Sequence, residues 1–133
     1  MPVMTTLQIA ALYIALNAIV TIVLAFNVVR VRVKTQTQIG DGGKEEMLRA
    51  IRAHGNNVEY VPLTLVALVT LALLQSSILI LHVVGVALTV GRVLHGLGLN
   101  TNSGASLGRG LGIMLTLVAL ITAIVALLLK VFS

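Results

Sequence analysis

Long apolar runs along the chain alternate with short polar breaks. The first run, from about Leu7 to Val29, is long enough to cross roughly 30 Å of hydrocarbon at about 1.5 Å per residue. No basic segment precedes it, and it exceeds the roughly 7–15-residue core of a secretory leader, so it reads as a retained span. It gives way at Arg30, Arg32 and Lys34 to a polar stretch ending Gly40-Asp41-Gly42-Gly43. The next run, Tyr60–Leu74, is too short to cross alone. About 20 residues counted back from Leu74 start that span near Gly55, which puts Asn56, Asn57 and Glu59 inside the hydrocarbon or at its edge. After a turn at Gln75-Ser76-Ser77, a third span runs from Ile78 to about Leu97, and a fourth from about Gly108 to Leu129, closed by Lys130. The glycine- and serine-rich Asn100–Ala105 joins these two. The predicted fold is all-α: one domain over residues 1–133, a four-transmembrane-helix up-down bundle with spans at about 7–29, 55–74, 78–97 and 108–129 and a loop at about 30–45.

Composition agrees. Of the 133 residues, 58% are hydrophobic and only 10% charged, with a mean hydropathy of +1.08, where a soluble domain carries roughly a quarter charged residues. This excludes the soluble-enzyme classes. A net charge of +5 would suggest nucleic acid on a soluble protein, but here the cations gather at span ends. Arg30, Arg32, Lys34, Lys44, Arg49, Arg52, Arg92 and Arg109 fall on one side of the membrane and only Lys130 on the other. By the positive-inside rule that side, with the 30–45 loop, is cytoplasmic and both termini lie opposite. The expected partners are therefore membrane lipids and not nucleic acid. There is no cysteine, so there is no protein thiol to act as nucleophile or metal ligand, and any reactive sulfur must come with a ligand.

The polar positions within the spans carry the candidate chemistry. The antiparallel turn at Gln75–Ser77 sets Glu59 level with Val93 and Asn56 with Gly96, so Arg92 and His95 lie at the depth of the second span's polar stripe. That stripe, Arg49, Arg52, Asn56 and Glu59, follows spacings of three, four and three, which share one helix face. Arg30 and Arg109, at their span ends, join the same level. An unpaired charge in lipid costs several kcal/mol, so these stripes should point into the bundle or a subunit interface. One account is an ion-pair network that only pins the helices. The other is a pocket for an anion, because only Glu59 is deep enough to offset Arg30, Arg52, Arg92 and Arg109. Elsewhere, Tyr13, Asn17 and Asn27 project within about 80° of one another at about 100° per residue, which suits interhelical hydrogen bonds. Gly104, Gly108, Gly112 and Thr116 form a small-residue ridge for close helix packing. Pro62 is expected to kink the second helix beside the stripe. His54 sits at the interface, and neither it nor His95 has a metal-ligand spacing, so no metal site is expected.

The segment Arg49-Ala50-Ile51-Arg52-Ala53-His54-Gly55-Asn56-Asn57-Val58-Glu59-Tyr60-Val61-Pro62 resembles the signature of the membrane-associated proteins in eicosanoid and glutathione metabolism, the MAPEG family. Its core is Arg52, Ala53, Asn56 and Glu59. Arg30-Val31-Arg32 and Gly91-Arg92-Val93-Leu94-His95 are similar to further family segments, and the likeness extends over the whole chain in length, span plan and charge placement. The resemblance implies a homotrimer of a bacterial inner membrane, with glutathione sites between neighbouring subunits near the cytoplasmic leaflet. It implies that Arg52, Asn56, Glu59 and Tyr60 hold the tripeptide, helped by Arg30 and His95 and by Arg92 from the same level, and that Arg109 stabilises the thiolate. Leu99 falls where eukaryotic members often carry a ligand-contacting tyrosine.

The residue types fit that chemistry independently. Glutathione carries two carboxylates and an ammonium, which a net-positive pocket with one acid complements. A thiol of pKa about 8.5 is mostly protonated at neutral pH, and a guanidinium beside it favours the thiolate. The implied activity is glutathione-dependent conjugation of lipophilic electrophiles arriving from the bilayer, or reduction of lipid hydroperoxides. The alternatives are a non-catalytic lipid- or ligand-binding scaffold and a small proton-coupled exporter working through Glu59.

Overall fold

The structure, a computed structural model, describes residues 4–101 and 104–132. It contains four helices: α1 Thr6–Thr35, α2 Glu45–Leu73, α3 Ile78–Thr101 and α4 Leu107–Phe132. All four are long and apolar enough to cross a membrane, so the chain is an all-α membrane bundle, as its run pattern predicts. Asn102 and Ser103 of the α3–α4 connection lie outside the described residues.

Several helix ends differ from the apolar runs: α3 continues to Thr101, so Asn100 and Thr101 of the expected connection are helical, and α4 continues to Phe132. α1 continues past Val29 to Thr35, and α2 begins at Glu45, well before Gly55, so the expected 30–45 loop contracts to residues 36–44. Leaving the hydrocarbon does not end a helix, because arginine and lysine propagate one in water. α1 stops where Gln36 turns left-handed at φ 52° and its N–H reaches back to the Arg32 and Val33 carbonyls. At its other end Thr5 and Gln8 form a reciprocal capping box. Glu45 and Glu46 occupy the first turn of α2, where they complement the helix dipole. α2 runs through Pro62 without a break.

α2 and α3 pack against each other and against both remaining helices, whereas α1 and α4 do not meet. In cross-section the bundle is a rhombus with α2 and α3 on its short diagonal. Leu68, Leu71, Leu81, Val84, Leu88, Ala119 and Ala123 fill its centre. The closest approach is between α3 and α4. A Cβ on Gly112 would stand 2.5 Å from the backbone nitrogen of His95, and one on Gly98 2.5 Å from that of Arg109. Gly108, Gly112 and Thr116 of the expected ridge therefore pack closely, and α3 answers them with Gly91 and Gly98, whereas Gly104 precedes the start of α4 and is not part of the helix.

The polar positions of α1 pair across helices. Tyr13 Oη and His82 Nδ1 are 2.7 Å apart, Asn17 Nδ2 donates to Thr89 Oγ1 at 2.9 Å, and Asn27 Nδ2 donates to Asn100 Oδ1 at 2.9 Å. Such bonds average about 0.6 kcal/mol in membrane bundles, and they fix the rotation of α1 more than they hold it in place.

Beyond the spans, Arg32 organises the 36–44 loop by donating from Nη1 to the carbonyls of Thr37, Gln38 and Gly40 at 3.1–3.2 Å. Substituting Arg32→Ala should raise limited proteolysis of this loop roughly tenfold, the scale of one charged hydrogen bond lost, with helical content unchanged. Equal cleavage rates in the two proteins would show that the loop holds itself.

Candidate functional site

At the end of the bundle that carries this loop, a chamber of about 200 Å³ opens between α2, α3 and α4. Its walls are Glu45, Leu48, Arg49, Arg52 and Asn56 of α2, His95 and Leu99 of α3, and Arg109 of α4. The α2 residues line up because a stripe at three- and four-residue spacings stays on one side of a helix. His95 enters from α3, where the glycine contact between α3 and α4 brings the two backbones together. Arg109 stands in the first turn of α4, whose N-terminus is capped by Ser106, with Oγ accepting from the Arg109 N–H at 3.3 Å.

A second, larger cavity of about 580 Å³ adjoins the first and shares Asn56, His95 and Arg109 with it. Its other walls are Tyr60, Gly104, Ala105, Ser106, Gly110 and Ile113. The pair forms two lobes, one strongly charged and one of small and apolar groups. Asn56, His95 and Arg109 stand at their junction.

The expected site residues divide on this geometry. The structure brings together Arg52, Asn56, His95 and Arg109 in the charged lobe and adds Tyr60 in the second. Glu59 lies beside them but turns outward. Its carboxylate is 3.7 Å from Arg52 Nη1, and both side chains are about half exposed. Arg30 is not on this side of the bundle. Its Nη2 donates to Asn27 Oδ1 at 2.8 Å, and it lines an apolar groove of about 490 Å³ between α1 and α3, with Ile19, Val23, Val93 and Leu97 among its walls. Arg92 is 1% exposed and stands behind the chamber wall. Its Nε and Nη2 donate to Thr116 Oγ1 at 2.9 and 2.6 Å, its Nη1 donates to Asn56 Oδ1 at 2.8 Å, and its guanidinium carbon lies 5.5 Å over the Tyr60 ring. The buried guanidinium thus rests on neutral oxygens and a ring face, with no carboxylate among these contacts.

Two contributors escape a reading of the sequence. Glu45 lines the charged lobe and accepts from Arg49 Nη1 at 3.3 Å. Its place was signalled by the α2 stripe, which continues one turn upstream through the spacing of four from Glu45 to Arg49. Thr116 is the principal acceptor for Arg92, and nothing in a ridge of small residues marks one hydroxyl as a charge partner.

The charged lobe can bind an anion. Arg49, Arg52 and Arg109 offer rigid forks of N–H donors suited to carboxylates, against the single carboxylate of Glu45 among its walls. Among the described residues no group of three or more histidine, aspartate or glutamate side chains could hold a metal ion.

The MAPEG family model matches residues 10–129. The chain is 36% identical over 88 residues to the inner membrane protein YecN of Escherichia coli strain K12, covering 66% of this chain and 67% of that protein. The same figures hold for the YecN protein of Escherichia coli O6:H1. No solved structure matches the chain.

Proposed function

This chain belongs to the MAPEG family of membrane proteins, and from that premise we propose that it is a glutathione-dependent transferase or peroxidase of a bacterial inner membrane. The observation that carries this reading is the charged lobe, where three helices present Arg52, Asn56, His95 and Arg109 around one space. Glutathione brings two carboxylates for the arginines and an ammonium for Glu45 or Glu59. Its thiol would sit at the junction beside Arg109. Arginine stays protonated, so it acts there as a fixed positive charge that favours the thiolate rather than as a base. The thiolate sulfur then attacks the electrophilic centre of a second substrate held in the lobe of Tyr60, Gly110 and Ile113, and the leaving group departs with the electron pair of the broken bond. Bilayer access to this lobe suits lipophilic electrophiles or lipid hydroperoxides.

Two placements support a homotrimer. Arg30, remote from the chamber of its own chain, could reach a chamber only on a neighbouring copy. The exposed Arg52–Glu59 pair likewise finds shelter from lipid at such a contact. The loop end, with eight of the nine basic residues, faces the cytoplasm in this reading.

The test is stopped-flow mixing of purified protein with glutathione, following thiolate absorbance, together with calorimetric titration. Thiolate should form at neutral pH, and conjugation should favour lipophilic over water-soluble electrophiles. Absence of both heat and thiolate would turn the assignment to a ligand-binding scaffold.

A further inference from the structure

The contacts of Arg92 decide which end of the Asn56 amide faces the ligand. An arginine side chain has five N–H donors and no acceptor, so the Asn56 atom 2.8 Å from its Nη1 is the amide oxygen. The guanidinium cannot turn to suit another arrangement. The Thr116 hydroxyl gives its hydrogen to the Gly112 carbonyl at 2.8 Å, which leaves its lone pairs for Arg92 Nε and Nη2. The Tyr60 ring covers the guanidinium face. With its oxygen turned back toward Arg92, Asn56 directs its NH₂ to the two lobes that it lines.

We infer that Arg92 is a positioning residue which makes Asn56 present its NH₂ to the ligand, so that the ligand group seated at Asn56 is a hydrogen-bond acceptor, such as the thiolate or a carboxylate, and not an ammonium. The inference deepens the glutathione reading and rests on it. The Asn56 NH₂ faces an acceptor of glutathione, the thiolate at the junction or a carboxylate beside it, and the ammonium is directed away, toward the acidic side chains. Free asparagine would present either end of its amide with similar ease, and the site would lose its preference for the ligand's polarity.

The experiment is a double-substitution cycle read by calorimetric titration with glutathione. Asn56→Ala should weaken binding about ten- to a hundredfold, the range for one hydrogen bond to a charged group. Arg92→Met should weaken it comparably, and Arg92→Met combined with Asn56→Ala should be no weaker than the poorer single variant. Losses that multiply would show that Arg92 acts on the ligand or the fold by another route, and would overturn the inference while leaving the glutathione reading intact. Asn56→Asp covers the case in which Arg92→Met fails to fold. It keeps an oxygen for Arg92 but turns a second oxygen toward the chamber, so it should bind glutathione no better than Asn56→Ala. Wild-type affinity in Asn56→Asp would overturn the inference by itself. Absence of glutathione binding by the wild-type protein would overturn the reading and the inference together.

Discussion

Arg109→Ala should lower the rate of glutathione conjugation by about 10²–10³-fold, the range found when a single preorganised electrostatic group is removed from a site of developing negative charge. The side chain stands at the junction of two lobes, where, under the proposed function, a thiol held by the charged lobe would meet a substrate held in the other. A cation beside the sulfur favours the charged thiolate, so the bound thiol's pKa falls below its free value of about 8.5. The sign of the pH dependence follows. In the wild-type protein the rate should rise with pH only up to the lowered pKa and then level off. In the variant the rate should keep climbing, about tenfold per pH unit, until pH reaches about 8.5. Arg109→Lys, which keeps a point charge but loses the fork of donors, should fall between the two. Superimposable pH profiles for wild type and Arg109→Ala would remove Arg109 from the thiolate role.

The second large effect is structural. Gly112→Ala places a Cβ 2.5 Å from the His95 backbone nitrogen and 2.7 Å from the Gly91 carbonyl oxygen. Neither atom can rotate out of the way, so α3 and α4 must move apart along their whole glycine seam. Overpacking a tight contact costs about 1–3 kcal/mol when side chains can adjust, and a backbone clash stands at the upper end or beyond. His95 shifts with α3, so glutathione affinity should fall with the melting temperature. Gly110→Ala, two residues away, supplies the control. Its Cβ meets nothing within 4 Å, and alanine is the better helix former by about 1 kcal/mol. Thermal melts in detergent should therefore separate the two substitutions in opposite directions. A Gly112→Ala protein that melts with the wild type would show that the seam is looser than its distances indicate.

Three of the four spans were legible as unbroken apolar runs, and the second from an apolar run extended back to the length that hydrocarbon requires. Their ends were less so. The helical charges Arg30, Arg32, Lys34 and Arg49 lie beyond the apolar runs, where apolar periodicity carries no signal. The α2 stripe and the depth match across the Gln75–Ser77 turn anticipated that Arg52, Asn56 and His95 would converge, since both follow from helix geometry alone. Depth, however, fixes height along the bundle and says nothing of azimuth. Arg30 and Arg109 occupy the same end yet lie on different sides, Arg30 in the α1–α3 groove and Arg109 at the chamber. Arg92 shows the same limit. Its level was correctly anticipated, but its direction was set by the glycine contacts that let Thr116 of α4 come within 2.6–2.9 Å of its guanidinium.

The rhombic section of the bundle also determines how a substrate is counted. Four helices in a square ring would leave an axis down which a solute could pass, but here α2 and α3 meet on the diagonal and leucine and alanine side chains fill the centre. The described helices of a single chain therefore enclose no lumen, and under the proposed function a lipophilic substrate would come to its site sideways, by diffusion in the plane of the bilayer. Under the proposed function, the variable that would govern its encounter with a bound thiolate is its mole fraction among the lipids rather than its molarity in the buffer, which would make the membrane the solvent of the reaction.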